Sequence, residues 1–326
     1  QRSQHWHHIY SAQHVARRTL SNIAVVVCLL ILPDPARSQS PPICGSPEGA
    51  FELLQTRTAG GTPVAFAAAD LNGDQYIDLV VINRFLINFA TITLLRGTPS
   101  GLAIVGDLAT SKTPRSLTIA DLDDDGYLDI VAANEQQSGF ETITVLYGAG
   151  DFLFNVQRDH DVPSAAGHLG VADANDDGRL DIVYTAPLDE AVGISYLNAS
   201  TGVDSTVLYP IGAAPSGLFL TDVNQDGLTD ILTVNNTLNG QHAISQLLRL
   251  PGGYALSDYP GPRGLWAGSA ADLNHDGHLD ILAVSYNDRR LTALLRTGGG
   301  FASVPIDTVE LSPTEVIALD ANTDGH

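Results

Sequence analysis

The chain has 326 residues, 37 acidic side chains against 16 basic ones, a formal net charge of −21 and a single lysine, Lys112. Such a surface gives a nucleic-acid backbone or an anionic bilayer nothing basic to dock on, which argues against both as partners. Two cysteines, Cys28 and Cys44, are too few for a disulfide framework, so bound ions are the available staples.

Taken in order, the chain opens with Arg17 and Arg18, an apolar run from Ile23 to Leu32, then Pro33 and the small-residue pattern Ala36-Arg37-Ser38. A positive flank, a short apolar core and small residues at a cleavage point describe a secretory signal peptide, and ten apolar residues are too few to span a bilayer. Residues 1–38 are therefore assigned to upstream residues plus signal and 39–48 to a linker. The competing reading of the apolar run is a helix or strand at the edge of the fold. Export to the extracellular space or cell surface is expected, with no transmembrane span. Cys28 would leave with the signal.

From residue 49 one phrase recurs. It is clearest in DLDDDGYLDIVAAN from Asp121, with side-chain oxygens at Asp121, Asp123, Asp125 and Asp129, a turn at Gly126 and an apolar run beginning at Leu128. Four carboxylates within nine residues repel one another unless a hard cation sits among them, and the usual oxygen-seeking divalent ion is Ca2+. Related phrases start at Asp70, Asp173, Asp222, Asp272 and Asp320, spaced 51, 52, 49, 50 and 48 residues along the chain. A period near fifty marks a repeat architecture. Eighteen of the 37 acidic residues occupy positions one, three, five or nine of these loops, and five divalent ions would bring the charge from −21 to −11.

Between loops the sequence alternates short apolar runs with Gly, Pro and Asn clusters. In the fourth unit the runs are 215–221, 229–234, 243–248 and 254–259, which predicts four strands per repeat and no helix. Fifty residues with four strands is the size of one propeller blade. The predicted fold is an all-β propeller of four-stranded blades over residues 49–326, about seven blades in the complete ring with five to six represented here, the acidic loop joining first and second strands. Pro63, Pro114, Pro215 and Pro313 lie seven residues before a loop, and Pro163 and Pro262 ten before theirs, marking where first strands begin. The first strands are rich in small residues, as in 65–69 and 268–271, which suits the crowded centre of a ring. The segment 49–54 reads as an orphan outer strand whose partners would come from the carboxyl end. The chain stops at His326 inside the sixth loop, so a truncated ring with open sheet edges is expected.

Other calcium loops share this opening. An EF-hand needs flanking helices and a Glu at position twelve, where this chain has Val81, Ala132, Tyr184, Thr233 and Ala283. Nonapeptide β-roll repeats lack the fifty-residue gap. With these set aside, the chain resembles the FG-GAP/VCBS repeat family of integrin-alpha-like, calcium-binding propeller blades. That resemblance implies ligation through side chains at positions one, three, five and nine and the carbonyl of position seven. The implied ligands are Asp70, Asn72, Asp74, Tyr76 and Asp78 in loop one, Asp121, Asp123, Asp125, Tyr127 and Asp129 in loop two, and Asp173, Asn175, Asp177, Arg179 and Asp181 in loop three. Loop four supplies Asp222, Asn224, Asp226, Leu228 and Asp230, loop five Asp272, Asn274, Asp276, His278 and Asp280, and the partial sixth loop Asp320, Asn322 and Asp324. The alternative for all of them is a metal-free Asx-rich turn, which leaves the regular carboxylate at position nine unexplained. Loop two, with four carboxylates, is expected to bind Ca2+ tightest. Loop one, with Gln75 where the others have glycine at position six, is expected to bind weakest, the alternative being that Gly73 at position four lets the loop turn elsewhere and keep its ligands.

The resemblance implies a secreted or cell-surface, non-catalytic module for recognition or adhesion, with a protein or glycan as ligand. The competing readings are the propeller domain of a secreted hydrolase or polysaccharide lyase, or a scaffold within a larger surface protein. His160, His168, His242, His275 and His278 are scattered in sequence and compose no catalytic motif.

Overall fold

The structure, a computed structural model, describes residues 62–308 apart from 87–88, 111, 135–140 and 199–201, together with 313, 316 and 318. The expected signal segment, the linker, the orphan strand at 49–54 and the sixth loop with Asp320, Asn322 and Asp324 lie outside the described residues.

Each fifty-residue unit folds into one antiparallel four-stranded sheet with strands in sequence order. Blade one contains β1 (Thr62–Ala69), β2 (Asp78–Leu86), β3 (Phe89–Thr98) and β4 (Gly101–Leu108). Blade two contains β5 (Pro114–Ala120), β6 (Asp129–Asn134), β7 (Glu141–Gly148) and β8 (Phe154–Val162). Blade three contains β9 (Leu169–Ala172), β10 (Asp181–Ala186), β11 (Ala191–Asn198) and β12 (Gly202–Pro210), with one 3-10 turn at Pro187–Asp189. Blade four contains β13 (Pro215–Thr221), β14 (Asp230–Asn235), β15 (Ile244–Leu250) and β16 (Gly253–Tyr259). Blade five contains β17 (Leu265–Ala271), β18 (Asp280–Ser285), β19 (Arg290–Thr297) and β20 (Gly300–Thr308). The predicted all-β propeller and the acidic loop between first and second strands are both observed.

Sequence explains the layering. Second strands are aliphatic on both faces because a neighbouring blade covers each face, and every residue of β6, β10 and β14 is buried. First strands lie innermost, with β1 beside β5, β5 beside β9, β9 beside β13 and β13 beside β17. Their small residues permit that approach: a Cβ on Gly268 would meet the Phe219 ring of the preceding blade at 3.0 Å. Fourth strands are polar and exposed, as in β8 (FNVQRDHDV). The core is therefore a series of inter-blade layers. Ile82 and Ile92 of blade one share a cluster with Ile119 and Ile130 of blade two, and Val131 and Ile143 share the next with Ile182 and Tyr184 of blade three. Stability built from such nearest-neighbour interfaces is characteristic of repeat proteins.

Four of the five described first strands share one irregularity. Pairing shifts by one residue at Pro63/Ala65, Pro114/Ser116, Pro215/Gly217 and Leu265/Ala267, leaving Val64, Arg115, Ser216 and Trp266 as bulged residues at the end of the ring opposite the acidic loops. A proline cannot donate to the ladder, which accounts for the bulge beside it in three of these blades.

Blade three departs from its neighbours. Its β10 carries Tyr184, wholly buried, and the facing residue on β11 is Gly193. A Cβ at Gly193 would lie 2.0 Å from Tyr184 Cζ, so the glycine is the space the ring occupies. Gly193→Ala is expected to destabilise the protein by about 1–3 kcal/mol through overpacking, read as a lower urea midpoint with unchanged slope. An unaltered midpoint would mean the ring has room to move.

Candidate metal centres

The five described loops have one hydrogen-bonding plan, numbered here from position one to nine. The position-one carboxylate curls the chain around itself. In loop one Asp70 Oδ1 accepts from Gly73 N and Asp74 N at 2.8 and 3.1 Å, and its Oδ2 accepts from Gln75 N at 2.8 Å. Asp121, Asp173, Asp222 and Asp272 accept in the same way from the N–H groups of positions five and six. The position-five carboxylate accepts from the N–H of position seven, that is from Tyr76, Tyr127, Arg179, Leu228 and His278. Side-chain oxygens thus face inward while the side chains of Tyr76 and Tyr127 point to solvent. In loop three Arg179 reaches Asp177 at 3.7 Å, an exposed contact of little energetic weight.

Position nine is different. Asp78, Asp129, Asp181, Asp230 and Asp280 are each 0% exposed. One oxygen of each accepts from the N–H of position two, in Leu71, Leu122, Ala174, Val223 and Leu273, at 2.8–3.0 Å. The other accepts from a third-strand N–H, in Gly97, Gly148, Leu197, Arg249 and Arg296, at 2.6–2.9 Å. One carboxylate therefore ties three strands together at the corner of each blade. This explains the regular aspartate at position nine by backbone architecture, so its recurrence no longer by itself decides between a metal loop and a metal-free turn.

Positions four and six both adopt left-handed backbone in every loop. Loop one has Gly73 at φ 74° and Gln75 at φ 71°, and the others have a non-glycine at position four, Asp124, Asp176, Gln225 or His275 at φ 60–64°, followed by glycine at φ 83–89°. Each loop therefore carries one strained non-glycine residue of about 1–2 kcal/mol, and loop one has only exchanged which position bears it. Gln75 is no reason for loop one to bind weakest.

A cation needs oxygens at a common distance, and ligands on a sphere of radius about 2.4 Å lie at most about 4.8 Å apart. Asp121, Asp123 and Asp129 place one carboxylate oxygen each within 4.8 Å of one another, so loop two can hold a metal ion. In loops one, three, four and five, asparagine replaces the carboxylate at position three and donates from Nδ2 to the position-five aspartate at 2.9–3.1 Å. Asp123 cannot donate, and burial together with Asp125 and Asp121 holds its carboxyl above the ordinary range.

Sequence reasoning missed a second recurring network. Asn83 Nδ2 donates to Thr93 Oγ1, which donates to Asp107; Asn134, Thr144 and Asp159 repeat the chain in blade two, and Asn235, Ser245 and Asp258 in blade four. Its signal was present as the asparagine five residues after position nine. In blade four His242 Nδ1 also lies 3.1 Å from Asp258 Oδ2. The contact order is Ser245 to Asp258 to His242, so the hydroxyl gives its proton to the carboxylate and not to an imidazole, and the group staples strands.

Burial pushes the Asp78, Asp129 and Asp181 carboxyls up to about 6, against two N–H bonds that pull each down and with neighbouring loop aspartates pushing further. A folded-state value above the ordinary 3.8 means that these groups favour folding below the ordinary value and cease to as pH rises through about 6. In EDTA at constant ionic strength, the melting temperature is expected to fall between pH 5 and pH 7.5. A flat or rising profile would contradict it.

No curated protein matches the chain. Among solved structures, a functionally unknown protein from Desulfotomaculum acetoxidans is similar at TM-score 0.56 and 13% identity, over 81% of this chain and 76% of that one. The periplasmic gluconolactonase of Pseudomonas aeruginosa is similar at TM-score 0.56 and 17% identity, over 79% of this chain and 75% of its own. At these identities the likeness is one of fold. A family profile described as FG-GAP-like repeat matches residues 70–132, 121–184 and 222–283. Each match begins on a position-one aspartate and runs into the second strand of the next blade, and together they cover more than half of the sequence. The chain belongs to the FG-GAP-like repeat family.

Proposed function

We propose that the chain is a secreted or cell-surface propeller whose acidic loops bind Ca2+, and that it serves as a non-catalytic recognition module for a protein or a glycan. The observation that carries the metal reading is the approach of Asp121, Asp123 and Asp129 to within 4.8 Å, on a loop plan that four further blades repeat. The side chains of positions one, three, five and nine and the carbonyl of position seven would hold the ion, which supplies the positive charge these loops lack. The residues themselves keep the loop closed through Asx-type bonds and hold its corner on the third strand through position nine. Export is supported by the apolar segment 23–32, and no helix among the described residues is long and apolar enough to cross a membrane.

Recognition is supported by the contrast between the two ends of the ring. The loop end is nearly invariant from blade to blade, whereas the bulged residues at the other end are Val64, Arg115, Ser216 and Trp266. Of these, Val64 packs on the core, Ser216 bonds backbone carbonyls and Trp266 is exposed, so a constant frame presents an aromatic side chain at that end.

At pH 7.5 a millimolar excess of Ca2+ over EDTA is expected to raise the melting temperature by at least about 5 °C, since occupancy at a hundred times Kd adds about 2.7 kcal/mol per site. Immobilised holoprotein should capture a polysaccharide or protein and release it chemically intact. An unmoved melting curve would remove the metal reading, and cleavage of a captured ligand would remove the non-catalytic one.

A further inference from the structure

We propose that Trp266 and Tyr286, at the end of the ring opposite the acidic loops, form a stacking platform for a neutral pyranose of an oligosaccharide, with the amides of Asn236 and Asn287 nearby at the entry to β17. The proposal rests on the recognition reading above and names a ligand class and a place for it.

The two rings stand 5.3 Å apart between centroids and are tilted by 39°. They are 40% and 39% exposed, a large apolar area to leave in water at one spot. Trp266 lies on β17, and Tyr286 opens the turn that follows β18. Trp266 is the bulged residue of β17, and Leu265 before it is fully buried and pairs with Ser285, the residue preceding Tyr286. Ser216 Oγ, from blade four, donates to the Leu265 carbonyl at 2.8 Å, and Gly264 N donates to the Thr237 carbonyl at 2.8 Å. The backbone on both sides of Leu265 is therefore fixed to the neighbouring blade, and the ring it presents is preorganised, which lowers the ordering cost of binding.

Polar groups lie at the entry to β17, two residues before Trp266. Asn236 Oδ1, just past β14, and Asn287 Nδ2, beside Tyr286, each lie 3.8 Å from the point where a Cβ on Gly264 would sit. Gly264 has φ 59°, so the chain turns into β17 there without a side chain in the space between the two amides. One amide offers an acceptor and the other a donor. Aromatic faces with amides close by along the chain match a pyranose, whose C–H face stacks while its hydroxyls hydrogen-bond. An aliphatic ligand would leave the amides unpaired on contact. A polyanionic glycan is disfavoured by the net charge of −21. The other bulge positions hold Val64, Arg115 and Ser216, so the platform belongs to blade five.

The chain contains two tryptophans, Trp6 and Trp266, so Trp6→Phe leaves Trp266 as the only indole reporter. This variant in Ca2+ is titrated with cellohexaose, chitohexaose and mannohexaose, with hexagalacturonate as the anionic comparison. Saturable change of indole emission with at least one neutral hexaose is expected. By calorimetry Trp266→Ala should weaken that binding at least tenfold and Trp266→Phe by much less, with the Ca2+-dependent melting temperature of both variants unchanged. Absence of binding by all three neutral hexaoses, preference for hexagalacturonate, or equal affinity in Trp266→Ala would overturn the proposal. Capture of a protein ligand equally by the parent and Trp266→Ala would remove the glycan site while leaving the recognition reading standing. Loss of the Ca2+ effect on melting would instead strike the reading beneath it.

Discussion

Every described blade turns on one buried carboxylate. The position-nine aspartate begins the second strand, accepts from the last turn out of the first strand and accepts again from the third. Its hydrogen-bonding partners are backbone N–H groups rather than basic side chains, so the charge is solvated by dipoles and not neutralised. Burying an anion on those terms is costly, and burial accordingly pushes the Asp78, Asp129 and Asp181 carboxyls upward. A cation held among positions one, three, five and nine would relieve it directly, and fold and ion would then be linked through the same oxygen atoms.

Because each blade closes on its own corner, the loop end of the ring has little freedom to vary. Two positive-φ positions, two carboxylates wrapped by N–H groups and one buried aspartate recur in all five loops. The opposite end carries no such demand. There four blades place an aliphatic that packs on the core, a guanidinium, a hydroxyl that bonds the next blade's backbone and an exposed indole at the bulge. Blade three shows that the frame tolerates internal change as well: Tyr184 over Gly193 occupies the position where blades one, two and four run an Asn, Thr or Ser, and Asp relay.

The ring of four-stranded blades was legible because repeat length, strand grammar and the loop phrase all carry the same period. Strand limits in the fourth unit agree with the sequence reading to within two residues, since proline, glycine and the loop aspartates punctuate them. What could not be read was tertiary. Position nine looked like a ligand and is also a strand tie, because the third-strand N–H groups that approach it lie 16 to 19 residues away. Gln75 looked like a defect that Gly73 could offset, because the glycine pattern alone does not reveal that positions four and six are both left-handed. The Asn–Thr–Asp relay was written in the repeat but crosses three strands, and the Trp266–Tyr286 pair depends on a bulge that sequence does not announce.

The central claim is that these corners are ion sites as well as strand ties. It is tested most directly by equilibrium dialysis with radioactive Ca2+ at pH 7.5, counting ions bound per chain. The account predicts saturation near about five ions, one for each described loop, with Asp129→Asn lowering the count by about one. Fewer than about one ion per chain at millimolar free Ca2+ would contradict it, and the loops would then be turns stabilised by hydrogen bonds alone.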